Sequence, residues 1–169
     1  MSKRWERGKK LELLAYQDED ISQMTAIWND VLEDGLAFPG TELYSEGDFT
    51  DYLSHKSAAT CLKEGDRVAG FYTLQPNNIG RCGHVVNASY CMNKAFRGRG
   101  LFSSLVEASL EEAKTLGFRG MQYNAVVAIN YAAIKVYTQQ GFQIIGTIPK
   151  GFLLKNSTYC NIYIMYRDL

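Results

Sequence analysis

Between residues 83 and 128 the hydrophobic period changes twice, and that change constrains the fold more than any other feature of the chain. "GHVVNASYCM" (83–92) reads as a strand. "NKAFRGRG" interrupts it, and apolar residues then return at helical spacing from Leu101 to Leu116: Phe102, Leu105, Val106, Leu110, Ala113 and Leu116. Gly117 stands where a helix C′ glycine belongs. "GMQYNAVVA" (120–128) reads as strand again. A strand–helix–strand unit of this kind calls for a sheet with helices packed against it.

The flanking segments extend that sheet on both sides. "LELLAY" (11–16) is a first strand, and a helix over "DEDISQMTAIWNDVLEDG" (18–35) follows, with Asp18 or Asp20 as its cap and Gly35 as its stop. "LAFPGTELYSEG" is a loop and "EGDFTDYLSHK" a short helix. "AATCLKEGDRVAGFYTL" is strand, tight turn, strand, with Glu64-Gly65-Asp66 as the connection. After the central unit, "NYAAIKVYTQQG" is a helix capped by Asn130 and ended by Gly141. "FQIIGTIPK" and "STYCNIYIMYR" close the chain as two strands. The order gives an α/β (α+β) fold with a mixed, mostly antiparallel sheet in a single domain over residues 11–169, behind a flexible basic tail at residues 1–10.

Composition narrows the function. Lys+Arg and Asp+Glu both number 18, so the basic excess common in nucleic-acid binders is missing and no nucleic-acid partner is expected. No stretch nears the ~18 apolar residues of a membrane span, and the basic start has no apolar run behind it. A soluble, cytoplasmic protein without membrane contact is expected. The four cysteines, Cys61, Cys82, Cys91 and Cys160, form no C-x-x-C pair, and His55 and His84 lie in no metal-ligand spacing with them. Reduced thiols and no metal are expected.

The "RGRG" loop at a helix start suits an anion. The first N–H groups of a helix lack partners, and the macrodipole adds partial positive charge. Gly98 and Gly100 remove side chains that would hold a phosphate away, and Arg97 and Arg99 supply charge. A solvated basic turn with incidental glycines is the plain alternative. No Walker loop is present. A dinucleotide fingerprint fits poorly: Ser103 stands in place of its third glycine, and no acidic residue ends the next strand.

"NKAFRGRGLFSSL" (93–105) resembles motif A of the GNAT acyltransferase superfamily, Gln/Arg-x-x-Gly-x-Gly/Ala, with Arg97, Gly100 and Phe102 at its three defining positions. Phe102 departs from the preferred Gly or Ala. It shares a helical face with Leu105 and Val106, so its expected place is the core. A second segment, "NYAAIKVYTQQGF", resembles the family's N-x-x-A-x-x-x-Y-x-x-x-G-F signature through Asn130, Ala133, Tyr137, Gly141 and Phe142. The order of elements resembles the GNAT fold over nearly the whole chain.

The resemblance implies an acetyl-CoA-dependent N-acetyltransferase that works by direct attack in a ternary complex on a primary amine of a small molecule or amino acid. It implies acetyl-CoA as co-substrate, with Arg97, Gly98, Arg99, Gly100, Leu101, Phe102 and Ser103 at its pyrophosphate and Asn130, Ala133 and Tyr137 as further contacts. Tyr90, Cys91 and Met92 are implied as backbone contacts for the pantetheine arm, with an N–H there as oxyanion donor. Tyr137 is implied as the acid for the leaving thiolate, and a core aromatic is its plain alternative. A nucleophilic Cys91 is the less favoured reading. Base candidates are His84, for its intrinsic pKa and its place on the strand, and Glu33, with Asp34 beside it at the end of the first helix; water is a third route. Phe38, Tyr44 and Phe152 are candidate acceptor-pocket residues. The competing function is a non-catalytic acyl-CoA-binding module. Monomer and homodimer both remain open, with the final strand pair as the candidate edge.

Overall fold

The computed structural model describes residues 10–169, so most of the basic tail expected at 1–10 lies outside the described residues. Seven strands and four α-helices follow in chain order: β1 (Leu11–Ala15), α1 (Ile21–Asp34), α2 (Glu46–Ser54), β2 (Ala58–Glu64), β3 (Arg67–Pro76), β4 (Val85–Met92), α3 (Leu101–Thr115), β5 (Gly120–Val127), α4 (Tyr131–Gln139), β6 (Gln143–Leu153) and β7 (Tyr159–Asp168). They form one sheet in the order β1-β2-β3-β4-β5-β7-β6. β4 and β5 are parallel and every other neighbouring pair is antiparallel, the mixed sheet expected from the element order. Among the described residues no helix is long and apolar enough to cross a membrane.

Each face of the sheet carries its own core. Alternation along β4 sends Val86, Ala88 and Tyr90 to the α3 side, where they pack with Leu105, Val106, Leu110, Met121 and Phe142. Cys91 goes to the other face, with Met24, Trp28 and Val31 of α1, Phe49 of α2 and Phe71 of β3. Gly35 (φ 67°), Gly117 and Gly141 (both φ 88°) stop helices in the left-handed conformation that their places in the sequence predict.

Three local expectations change. Neither Asp18 nor Asp20 caps α1 with its side chain. Asp20 is buried and its carboxylate accepts from Gln17 N (2.9 Å) and pairs with Lys63 (2.7 Å), because a short 3-10 turn precedes α1 and takes over the capping geometry. β6 runs on to Leu153, past Pro149. It is an edge strand, where a missing N–H can face solvent. The strand expected from Gly83 begins at Val85, which leaves His84 just outside it.

Candidate active site

The site begins where two strands part. β4 and β5 pair only at Val85↔Gly120 and Val86↔Met121 and then diverge. Asn87 Nδ2 donates across the opening to Gln122 O (2.9 Å), which ties the strands at the point of departure. A cavity of about 860 Å³ fills the gap, bounded by Ala88–Tyr90 and Met92 on one side and Tyr123–Val127 on the other. It also reaches Arg97, Gly98, Gly100, Leu101 and Phe102, and Leu36–Pro39 in the loop after α1.

β4 has free backbone groups to offer the cavity. Asn93 N donates to Ala69 O of β3 (2.9 Å), and Asn77 N to Val85 O (2.8 Å), so the odd-numbered residues of β4 spend their backbone groups on β3. Alternation leaves the N–H and C=O groups of Ala88, Tyr90 and Met92 facing the gap. Cys91 is thereby corrected: its backbone serves β3, its side chain is fully buried beneath the sheet, and burial pushes its thiol well above the ordinary value. It is not among the residues that line the cavity.

The loop fits an anion. Gly98 (φ 78°) and Gly100 (φ 73°) are left-handed, and a methyl at either would meet no protein atom within 4 Å. Gly100 holds the N-cap position of α3 without a side-chain cap, so the N–H groups of Leu101, Phe102 and Ser103 keep no intrahelical partner. Open space, bare amides and Arg97 together fit a pyrophosphate. Arg97 pairs with Asp34 Oδ2 at 2.9 Å, and both line the cavity. Arg99 turns away, to Glu64 (3.2 Å) and to the Phe96 ring (5.2 Å from its centroid). The Ser103 hydroxyl accepts from Gln140 Nε2 (3.1 Å) and ties α3 to α4, while its own O–H and the backbone N–H remain as donors.

Tyr137 stands in an aromatic cluster at the parting. Its ring centroid lies 4.4 Å from that of Tyr123, 5.8 Å from Phe102, 5.9 Å from Phe142 and 6.1 Å from Tyr90. Phe102 turns its edge to Tyr90 (87° between planes), so it serves the core as expected and shows only part of itself to the cavity. Tyr90 Oη is hydrogen-bonded to Ser109 (2.7 Å) and Tyr123 (2.6 Å). Tyr137 lines the cavity, and among the described residues its hydroxyl has no hydrogen-bond partner. Burial raises its pKa well above the ordinary phenol value, helped by Tyr90 and Cys91, so it is a neutral proton donor at any physiological pH. Asn130 Oδ1 accepts from Ala133 N (3.4 Å) and Nδ2 donates to Leu36 O (3.4 Å); Asn130 and Ala133 both line the cavity.

The two base candidates lie elsewhere. His84 is exposed, and its carbonyl accepts from Arg119 N (2.9 Å) at the closed end of the β4–β5 pair, the end remote from the cavity. Glu33 is exposed on the outer face of α1, while Asp34, three residues after buried Val31, faces in. The i, i+3 spacing from Val31 was the available signal for choosing Asp34 over Glu33. Of the acceptor candidates, Phe38 lines the cavity and stacks on Trp28 (4.5 Å); Tyr44 packs beside Trp28, and Phe152 belongs to a small cluster with Val127 and Ile162. Tyr123 and Asn87 were not singled out in the sequence, because nothing local marks where two strands separate.

Residues 23–142 match the acetyltransferase (GNAT) family. The chain belongs to this family. It is 31% identical over 112 residues to the L-amino acid N-acetyltransferase AaaT of Escherichia coli, covering 66% of this chain and 67% of that protein. It is 30% identical over 96 residues to the N-acetyltransferase aca1 of Schizosaccharomyces pombe and 27% identical over 119 residues to Protein SPT10 of Saccharomyces cerevisiae. Those matches take in 56% and 69% of this GNAT chain but only 46% and 19% of the two relatives' lengths. A GCN5-related N-acetyltransferase from Kribbella flavida superposes with a TM-score of 0.87 at 28% identity, over 94% of this chain and 98% of that one. Salmonella typhimurium yncA, solved with its cofactor acetyl-CoA, shares the fold with a TM-score of 0.87 at 17% identity, over 94% of each chain. Among the described residues no group of His, Cys, Asp or Glu is placed to hold a metal ion.

Proposed function

We propose that this GNAT chain is an acetyl-CoA-dependent N-acetyltransferase acting by direct transfer to a primary amine of a small molecule, with amino acids as the first class to test. One observation carries the reading: a single cavity joins the uncapped start of α3 to the opening between β4 and β5, where Tyr137 holds a free hydroxyl. The name of the AaaT relative supports amino acids as acceptors.

Acetyl-CoA, when bound, supplies an acyl group on a thioester. The N–H groups of Leu101–Ser103 and the Arg97 guanidinium hold its pyrophosphate. The free backbone groups of Ala88, Tyr90 and Met92 receive the pantetheine arm as an added strand, and an N–H among them donates to the thioester oxygen as negative charge develops there. Tyr137 gives its proton to the leaving sulfur. Among the described residues Asp34 is the one carboxylate lining the cavity, no histidine lines it, and Asp34 is held by Arg97. The amine therefore loses its proton to water.

That missing base is also what favours the second reading, an acyl-CoA-binding module without turnover. Steady-state assay of released CoA with an amino-acid panel, for wild type and Tyr137→Phe, separates the two. Turnover that falls by about 10²-fold or more in the variant, with acetyl-CoA binding retained, supports the enzyme. Tight acetyl-CoA binding without turnover on any amine supports the module.

A further inference from the structure

Asn87 is fixed by one end of its amide only. Its Nδ2 donates to Gln122 O (2.9 Å), and a backbone carbonyl can only accept, so the amide has one orientation. Oδ1 is left without a hydrogen-bond partner among the described residues. Asn87 lines the cavity, and so does Ser89, two residues on and therefore on the same face of β4. That is the α1 face, which Cys91 shares and from which Val31 and Phe38 also line the cavity. Tyr90 and Tyr137 belong to the opposite face. An acceptor entering beside α1 therefore meets a neutral amide and a neutral hydroxyl.

No unpaired charge accompanies them. Among the described residues the charged side chains lining the cavity are Asp34 and Arg97, paired with each other at 2.9 Å, with Lys94 as a second partner of Asp34 (4.0 Å). The phenols of Tyr90, Tyr123 and Tyr137 are kept neutral by burial. From α2, Tyr52 is hydrogen-bonded to Thr73 (3.0 Å), and burial raises its phenol too. Lys56 donates to Gln75, the cross-strand partner of Asn87 on β3, and does not line the cavity. On β5 the neighbours Gln122 and Asn124 are neutral and bonded to each other (3.0 Å). An ammonium brought there from water loses its hydration and gains no counter-charge, so the amine is admitted in its neutral form.

We infer that Asn87 Oδ1 receives an N–H of the acceptor amine, and that the class of acceptor this selects is the weakly basic primary amine: an α-amino group beside an amide or ester carbonyl, ahead of an alkylamine. The inference rests on the transfer reaction proposed above. At pH 7 roughly 10–15% of an α-amino group of pKa ~7.7–8.0 is neutral, against about 0.04% of an alkylamine of pKa ~10.4. With no base in reach, that ratio of roughly 300-fold enters the rate.

Two measurements on the full chain test this. The first is kcat/KM against pH for an amino-acid amide and for the alkylamine with the same side chain. The expected acid limbs follow the amines' own pKa values and so lie about 2.5 pH units apart. The second is calorimetric titration of the amide into CoA-saturated protein at pH 7, in buffers of different ionisation enthalpy, which counts protons. Binding as the neutral amine releases about 0.85–0.9 proton per amine. Asn87→Leu should raise the amine KM about three- to tenfold with acetyl-CoA affinity within about twofold of wild type. Asn87→Asp, which keeps the oxygen and adds charge, should accept the ammonium and bring the proton count toward zero. Acid limbs that coincide, or wild-type binding without proton release, overturn the inference while the transferase reading stands. An Asn87→Asp variant that only matches Asn87→Leu overturns it too, because Asn87 is then no more than the tie between β4 and β5. Absence of turnover on every amine, with acetyl-CoA bound, overturns both readings.

Discussion

Asp34→Asn should tighten binding of CoA and acetyl-CoA. Arg97 is the cation of the loop, and Asp34 already occupies it at 2.9 Å. An incoming pyrophosphate must displace that carboxylate or share the guanidinium with it. The pair is solvent-exposed, with side-chain exposures of 44% for Arg97 and 35% for Asp34, which puts its worth in the surface class of about 0.2–1 kcal/mol. Its removal then gains at most about fivefold in affinity, at 1.4 kcal/mol per tenfold. Lys94 lies 4.0 Å from Asp34 but also 3.5 Å from Asp30, so it keeps a partner in the variant and adds little. Isothermal titration of wild type, Asp34→Asn, Arg97→Ala and the double variant measures the coupling. The gain should shrink as salt is raised, and Asp34→Asn should add nothing once Arg97 is gone. Equal or weaker binding by Asp34→Asn would refute the competition and make Asp34 the group that positions Arg97.

Further outcomes follow from the same geometry. Gly100→Ala forces an L side chain into φ 73°, a cost of about 1–2 kcal/mol; thermal unfolding should fall by several degrees, and titration should show weaker acetyl-CoA binding because the added methyl stands in the open cradle. Arg97→Glu should abolish measurable acetyl-CoA binding while leaving the unfolding midpoint near wild type, since its partner is a surface pair. Base titration followed by circular dichroism should show stability falling above pH 10. Burial raises the phenols of Tyr72, Tyr90, Tyr123 and Tyr137 above their ordinary value of 10.0, and burial likewise pushes the Cys61 thiol up to about 12. Groups raised in the folded state favour it below their unfolded values and withdraw that support as pH climbs past them. By the same shift, any alkaline decline in rate below pH 10 must come from a group other than Tyr137.

What the sequence determined by itself is local in origin. Helical spacing from Leu101, the glycines that stop α1, α3 and α4, the Asn130 cap and the two GNAT-like segments all depend on residues a few positions apart. They placed the anion loop and Tyr137 because a helix start and a helix face are set by neighbours in the chain. What only the tertiary structure decided is where strands part and which way the side chains beside the parting turn. His84 and Tyr90 share one stretch of chain, but β4 is joined to β5 at the His84 end and open at the Tyr90 end. Parity along β4 withdraws Cys91 and offers Tyr90, and that parity is fixed by pairing with β3, a strand separate in sequence. Arg97 and Arg99 look alike in "RGRG", yet Asp34, 63 residues away, claims one and Glu64 the other. Pairing partners distant in the chain set these choices, so no local pattern could have carried them.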